Sequence, residues 1–177
     1  MPSLISLIYI TDILSDFVVV KKIKLALHTK PNIMTLKLLS TLGQQHGLIA
    51  LPFDYSATLR WTNCSGTAGT TYYIGDGDAN TDSIVSNCST STPLYAALMA
   101  QNNTSYGYTD WFLPSINELG KLLTNRTNAG LTMTGNYWSS SMVGTTNAYY
   151  AGPSGNSFGS NYTVTSVLLK VRIIRKF

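Results

Sequence analysis

Charge is what this sequence of 177 residues has least of. Asp, Glu, Lys and Arg make up 11% of it, against about a quarter in an average globular domain. The few basic residues do not form a nucleic-acid footprint, which needs Lys and Arg spread along one continuous surface. Lys21, Lys22, Lys24, Lys30 and Lys37 lie near the start, and Lys170, Arg172, Arg175 and Lys176 at the end. Between residues 41 and 169, three basic residues stand against six acidic ones. Long apolar runs are also missing. The apolar stretches at residues 4–10 and 17–20 are interrupted by Asp12 and Asp16 and followed by lysines. They fall short of the about 20 consecutive apolar residues that span a bilayer, so membrane insertion is not expected. A signal peptide places its basic residues before the apolar stretch; here they follow it.

There are two cysteines, Cys64 and Cys88, and two histidines, His28 and His46. Two thiols without a histidine cluster cannot supply the four ligands of a structural zinc site. Cys64 and Cys88, each in an Asn-Cys-Ser context, are therefore a disulfide or two buried thiols, and the composition, rich in Gly, Ser, Thr, Asn and Tyr, favours the disulfide of an exported protein. The arrangements of nucleophilic catalysis are absent as well. No serine stands in a Gly-x-Ser-x-Gly elbow, and Ser139, Ser140 and Ser141 have no base near them in sequence and are expected to fill a turn beside Trp138. Asp110 and Glu118 are accounted for by a turn and a helix cap rather than by a glycosidase pair. Gly75-Asp-Gly77 puts a carboxylate where a phosphate would sit. No enzymatic activity and no cofactor are expected.

One acidic stretch invites a calcium site. Asp76, Asp78, Asn80 and Asp82 alternate like the start of an EF-hand loop, but Thr81 stands where glycine is required and Asn87 where glutamate is. The expected role is a solvated turn leading into a short helical turn at residues 83–87. A looser cation site through Asp76, Asp78 and Asp82 is the alternative.

Against these absences, residues 106–123 carry a strong local signal. Ser115 followed by Glu118 is a capping box, and Ile116, Leu119, Leu122 and Leu123 recur at helical spacing. Pro114 stands just outside the cap, and Trp111, Phe112 and Leu113 form an aromatic run that must be buried. A second helix is expected over residues 93–101, with Thr92 as its cap and Pro93 in its first turn. Strands are expected at residues 47–52, 58–61, 137–140, 148–151, 157–161 and 164–174, with at most a brief one at 72–74. In the last long strand Val167, Leu169, Val171 and Ile173 alternate with Leu168, Lys170, Arg172 and Ile174, which predicts one buried and one mixed face. Two short helices followed by several strands give an α+β fold. Residues 1–42 differ in composition from residues 43–177 and are expected to be an atypical extension.

The stretch after Tyr137 is crowded with Asn, Tyr, Ser and Gly. Tyrosine supplies contact area at little entropic cost, and Asn and Ser supply adaptable hydrogen bonds. Asn147, Tyr149, Tyr150, Asn156, Phe158, Asn161 and Tyr162 are therefore the candidate ligand-binding residues, with Asn136 and Tyr137 beside them.

Several motifs, in order, resemble one family. Gln45-His-Gly-Leu-Ile-Ala50, Trp61, Gly75-x-Gly-x-x-Asn-Thr81 with Ile84-Val85, Gly107-Tyr-Thr-Asp-Trp-Phe-Leu-Pro-Ser115 with Glu118-Leu119, Tyr137-Trp-Ser-Ser140 and Val171-Arg-x-x-Arg-x-Phe177 are similar to the C-terminal domain of bacterial collagen-like adhesins, the Lcl-type domain. The resemblance covers residues 43–177. It implies a C-type-lectin-like fold, in which a small sheet joins the chain ends, two helices flank it and a long loop region carries ligands. It implies structural roles for Asp110, Trp111, Pro114, Ser115, Glu118, Trp138, Arg172 and Arg175, and a disulfide between cysteines placed like Cys64 and Cys88.

The family occurs on bacterial surfaces, in secreted proteins and in phage-related proteins, and its adhesin members are associated with sulfated glycans. The resemblance thus implies a non-enzymatic, extracellular or cell-surface domain that adheres to a glycan or a host or cell-surface protein. A display scaffold binding proteins through Asn- and Tyr-rich loops, and a structural envelope or tail domain, are the alternatives. The late cysteines of the related formylglycine-generating enzymes and the Glu-Pro-Asn and Trp-Asn-Asp calcium motifs of animal lectins are absent, so glycan binding is expected to need no calcium. Two features depart from the family. No collagen-like repeat is present, and residues 32–42 replace its usual opening strand. A wrong start or shifted frame over residues 1–42 would account for the second, and detection of a peptide from residues 4–21 by mass spectrometry would refute that account.

Overall fold

The computed structural model describes residues 11–14, 17–20, 38–39, 47–55, 57–64, 70–88, 94–153 and 161–177. Thr11–Leu14 (β1), Phe17–Val20 (β2) and Leu38–Leu39 (β3) pair antiparallel in a sheet of their own. The remainder is a mixed α+β structure.

Its spine is the C-terminal segment. Leu169 exchanges backbone hydrogen bonds with Leu59, Val171 accepts from Tyr55, and Ile173 accepts from Leu51. Ile174–Lys176 (β8) then pairs antiparallel with Leu48–Ala50 (β4). Along the other edge Lys170 bonds Asn136 and Trp138, and Ile174 bonds Phe112 in both directions. The long strand expected at residues 164–174 is thus corrected. Residues 164–166 form a turn, and regular strand geometry is confined to Ile174–Lys176. The alternation itself holds: Val167, Leu169, Val171 and Ile173 pack on one cluster, and the other face is mixed, with Leu168 exposed and Arg172 and Ile174 buried. Val171 and Ile173 enter one apolar cluster, Ile174 enters the other, and Arg172 is buried between.

The strand expected at residues 58–61 reduces to a single bridge from Leu59 to Leu169. Residues 72–74 are bend and turn.

Tyr137–Val143 (β5), Asn147–Ala151 (β6) and Asn161–Thr163 (β7) form an antiparallel sheet. Trp138 opposes Tyr150 and Met142 opposes Ala148, so the register shifts between them. Ser139, Ser140 and Ser141 occupy this irregular part of β5 and are fully buried. They are not turn residues, as their sequence suggests. The shift leaves the strand with spare residues, and these turn their hydroxyls into the interior.

Gly77–Asn87 (α1) starts inside the acidic stretch that was expected to be a turn. Asp76 ends the preceding loop, its Oδ2 accepting from Thr71 Oγ1 at 2.6 Å and from Tyr73 N at 2.9 Å. Asn80, Thr81, Ile84 and Val85 then form the buried face of the helix. Ala96–Gln101 (α2) starts later than expected. Tyr95, extended at φ −131° and ψ 168°, is its N-cap, and Ala96 donates its N–H to Arg60. Leu94 stays exposed; Thr92 and Pro93 lie outside the described residues. Ile116–Asn125 (α3) follows its capping box as the sequence predicts.

The aromatic run ahead of α3 is extended, so its side chains alternate. Trp111 and Leu113 join Trp61, Trp138 and α2 in one cluster, whereas Phe112 joins Tyr137 and the apolar face of α3 in the other.

Candidate functional site

The capping box of α3 reaches well beyond its own helix. Glu118 Oε2 accepts from Ser115 N at 2.7 Å and Oε1 from Gly75 N at 2.9 Å. Ser115 Oγ accepts from Glu118 N at 3.2 Å and donates to Tyr73 O at 2.7 Å. Asn117 N donates to Tyr72 O at 3.3 Å. Asn80 grips both backbone polar groups of Thr71, accepting from its N–H at 2.9 Å and donating to its carbonyl at 2.8 Å. Ser141 Oγ donates to that carbonyl at 2.7 Å and accepts from Ile116 N at 3.0 Å. Thr81 Oγ1 accepts from Leu113 N at 3.0 Å and donates to Gly77 O at 2.7 Å.

Glycine is required at two places in this frame. Gly75 sits at φ +100°, a conformation L side chains rarely adopt. At Gly77 a Cβ would collide with Glu118 Oε2 and lie 2.8 Å from Leu113 O. Burial pushes the Glu118 carboxyl above its ordinary range, opposed by the amide donors of Ser115 and Gly75 and by the charge of Lys176.

The consequence is a fixed loop. Between Thr71 and Asp76 the backbone is tied at Thr71 to α1 and β5 and at Tyr72, Tyr73 and Gly75 to the start of α3, and the rings of Tyr72 and Tyr73 are left outside. Tyr72 is 42% exposed and Tyr73 69% exposed. Tyr149 of β6 meets Tyr72 edge to face, with centroids 5.5 Å apart and planes at 88°. Tyr149 is half-buried against the cluster that holds the apolar face of α3, so Tyr72 and Tyr149 meet where the loop joins the sheet, and the exposed Tyr73 follows Tyr72 in the chain.

The structure divides the residues that the sequence groups as one ligand site. Tyr149 and Tyr150 are neighbours in a strand and face opposite sides. Tyr150 is buried and stacks parallel on Tyr162 at 4.3 Å. Tyr162, 38% exposed, is the outer ring of that pair; its hydrogen bond with Tyr150 raises its phenol above the ordinary value. Asn147 opens β6 opposite Val143 and Thr163. Asn161 pairs with Tyr149 through its backbone. Asn156 and Phe158 lie outside the described residues. Tyr72 and Tyr73 were missed by sequence reasoning. Their signal is two adjacent tyrosines directly before a glycine-bounded turn, with no apolar periodicity to claim them.

The carboxylates of the acidic stretch do not converge. Asp76 bonds its own loop, Asp78 pairs with Lys176 at 3.2 Å, and Asp82 accepts from Gln101 at 2.8 Å. Among the described residues no group of three or more His, Cys, Asp or Glu side chains is placed to hold a metal ion.

Two arginines at the end of the chain are anchors. Arg172 is 1% exposed, bonded by Nε to Asp54 at 2.9 Å, by Nη1 to Leu51 O at 2.8 Å and by Nη2 to Thr132 O at 2.9 Å. Tyr137 donates its hydroxyl to the same Asp54 at 2.9 Å, and Lys170 approaches it at 3.3 Å. Asp54 is a third residue that the sequence leaves unmarked. Arg175 grips Asp110 with two bonds of 2.7 Å and lies 3.9 Å over the ring of Tyr108. This pair holds the Asp110 carboxyl below its ordinary range.

Trp138 donates its indole N–H to Leu59 O at 2.9 Å, and Pro114 accepts from Ser140 N at 2.7 Å. Cys64 and Cys88 form a disulfide that ties the end of α1 to the loop after Trp61. No helix among the described residues is long and apolar enough to cross a membrane. A small apolar hollow lies beside α2, lined by Leu51, Phe53, Tyr55, Met99, Asn103, Val171 and Ile173.

Comparison of the sequence with protein-family models and with curated proteins finds no match.

Proposed function

We propose that residues 43–177 are a non-enzymatic, lectin-like recognition domain, exported or displayed at a cell surface, that adheres to an extracellular ligand, in the first place a glycan. The observation that carries this reading is the pair of exposed rings of Tyr72 and Tyr73, with the half-buried Tyr149 edge-on to Tyr72, on a loop pinned through the carbonyls of Tyr72 and Tyr73 and the N–H groups of Tyr73 and Gly75. Flat aromatic faces on a rigid frame lose little entropy on binding.

Further support comes from where the reactive groups are spent. The hydroxyls of Ser139 and Ser141 bond the backbone carbonyls of Tyr149 and Thr71, Ser140 Oγ accepts from Asn80, and Glu118 is closed inside the cap. The disulfide favours an oxidising compartment. The pairing of β4 with β8 and the flanking helices suit a lectin-like architecture.

The reading is tested by applying the full chain, and the Tyr72→Ala/Tyr73→Ala double variant, to a glycan array and to whole bacterial and animal cells. Retention of the wild type and its loss in the variant support recognition through this surface. Retention of neither on any glycan or cell refutes it.

A further inference from the structure

The tyrosine surface and the charges at the end of the chain make opposite demands on a ligand. A sulfated or otherwise anionic polymer is held by cations that are free to meet it, and such binding weakens as salt screens the charges. Lys170, Arg172, Arg175 and Lys176 look from sequence like that kind of cluster. In the structure each is paired with a carboxylate. Asp54 takes Lys170 and Arg172, Asp110 takes Arg175, and Asp78 takes Lys176. Arg172 has no surface to offer, and Arg175 is 14% exposed.

The exposed aromatic surface has the reverse character. Tyr72 and the half-buried Tyr149 stand at right angles and form a corner, and Tyr73, the most exposed aromatic of the described residues, follows Tyr72 in the chain. The nearest loop carboxylate, Asp76, is turned back onto Thr71 and Tyr73 N. A pyranose ring carries an apolar C–H face that packs on an aromatic ring, while its hydroxyls stay solvated or meet phenol and amide groups. It needs no counter-charge.

From this contrast we infer that the Tyr72–Tyr73–Tyr149 surface takes a neutral saccharide, by ring stacking, and that the four C-terminal cations hold the fold rather than the ligand. This rests on the recognition reading above and narrows its ligand class.

The test uses the full chain on immobilised neutral and sulfated glycans at low and high salt, about 0.05 and about 0.5 M. A neutral glycan is expected to retain the protein equally at both. Tyr73→Ala and Tyr72→Ala are each expected to weaken it by about tenfold, the size of one aromatic contact. Retention on sulfated glycans alone, lost at high salt, would overturn the neutral ligand and leave glycan recognition standing. Neutral binding untouched by both tyrosine variants would overturn the site. No retention on any glycan would remove both the inference and the glycan form of the function.

Discussion

Glu118 and Gly75, 43 residues apart, are joined by a hydrogen bond of 2.9 Å from the glycine N–H to Glu118 Oε1. The other oxygen of the same carboxylate closes the capping box on Ser115. One side chain thus starts α3 and pins the loop that carries Tyr72 and Tyr73. The frame is structural, and what it presents is a surface.

The tightest approach in this frame is at Gly77. Gly77→Ala is expected to destabilise the protein by about 1–3 kcal/mol, the usual cost of overpacking, because the methyl would meet Glu118 Oε2 and the Leu113 carbonyl. Urea unfolding measures it. A midpoint equal to that of the wild type would show that α1 does not sit this close to α3.

Glu118 sets a pH dependence with a definite sign. Burial raises its pKa in the folded state, so the folded protein favours the protonated form more than the unfolded chain does. This contribution is therefore complete below the ordinary glutamate value, about 4.3, and is lost as pH rises through the raised value. The stability advantage of the wild type over Glu118→Gln should shrink as pH increases across that window. Asp110 acts in the other direction. Its pKa is lowered by Arg175, and its small contribution is lost as pH falls through that value. Unfolding midpoints of the wild type and Glu118→Gln over a pH series separate the two. A difference that grows with pH contradicts the burial argument.

The two arginine anchors differ in environment and should differ in energy. Asp54→Ala leaves the buried Arg172 charge without its partner and is expected to cost about 3–5 kcal/mol. Asp110 is 52% exposed in its pair with Arg175. A double-mutant cycle there should return a coupling of about 0.2–1 kcal/mol that declines with added salt. Equal costs at the two pairs would contradict the assignment of Arg172 as the inner anchor.

Tyr95 is fully buried at the start of α2, and its hydroxyl has no hydrogen-bond partner among the described residues. Removing a buried, unpaired hydroxyl relieves a desolvation cost of about 1–3 kcal/mol. Tyr95→Phe should therefore raise the thermal midpoint. A loss of stability would reveal a partner for that hydroxyl.

How far the sequence discloses all this depends on the range of each interaction. The Ser115–Glu118 box and the apolar stripe of α3 are local, and both are legible residue by residue. The start of α1 is not, because it is fixed by Thr71, by Glu118 and by the room available at Gly77, all through contacts outside the helix. The C-terminal segment suggests a longer regular strand than it forms. Its alternation is real, but residues 164–166 turn away from the strand, and Arg172 is polar in sequence and interior in space. Asp54, 118 residues before its arginine, has no local pattern to mark it. Tyr72 and Tyr73 are visible in the sequence as residues, but only the bonding of their backbone to α3 shows that their rings must point outward.

The most direct measurement is the affinity of the Tyr73→Ala protein for the glycan that the wild type retains, by calorimetry, beside its unfolding midpoint in urea. Affinity should fall about tenfold, with stability changed by no more than about 0.5 kcal/mol, as for an exposed residue outside the core. Unchanged affinity, or a loss of affinity accompanied by an equal loss of stability, would contradict a binding surface carried on an independent frame.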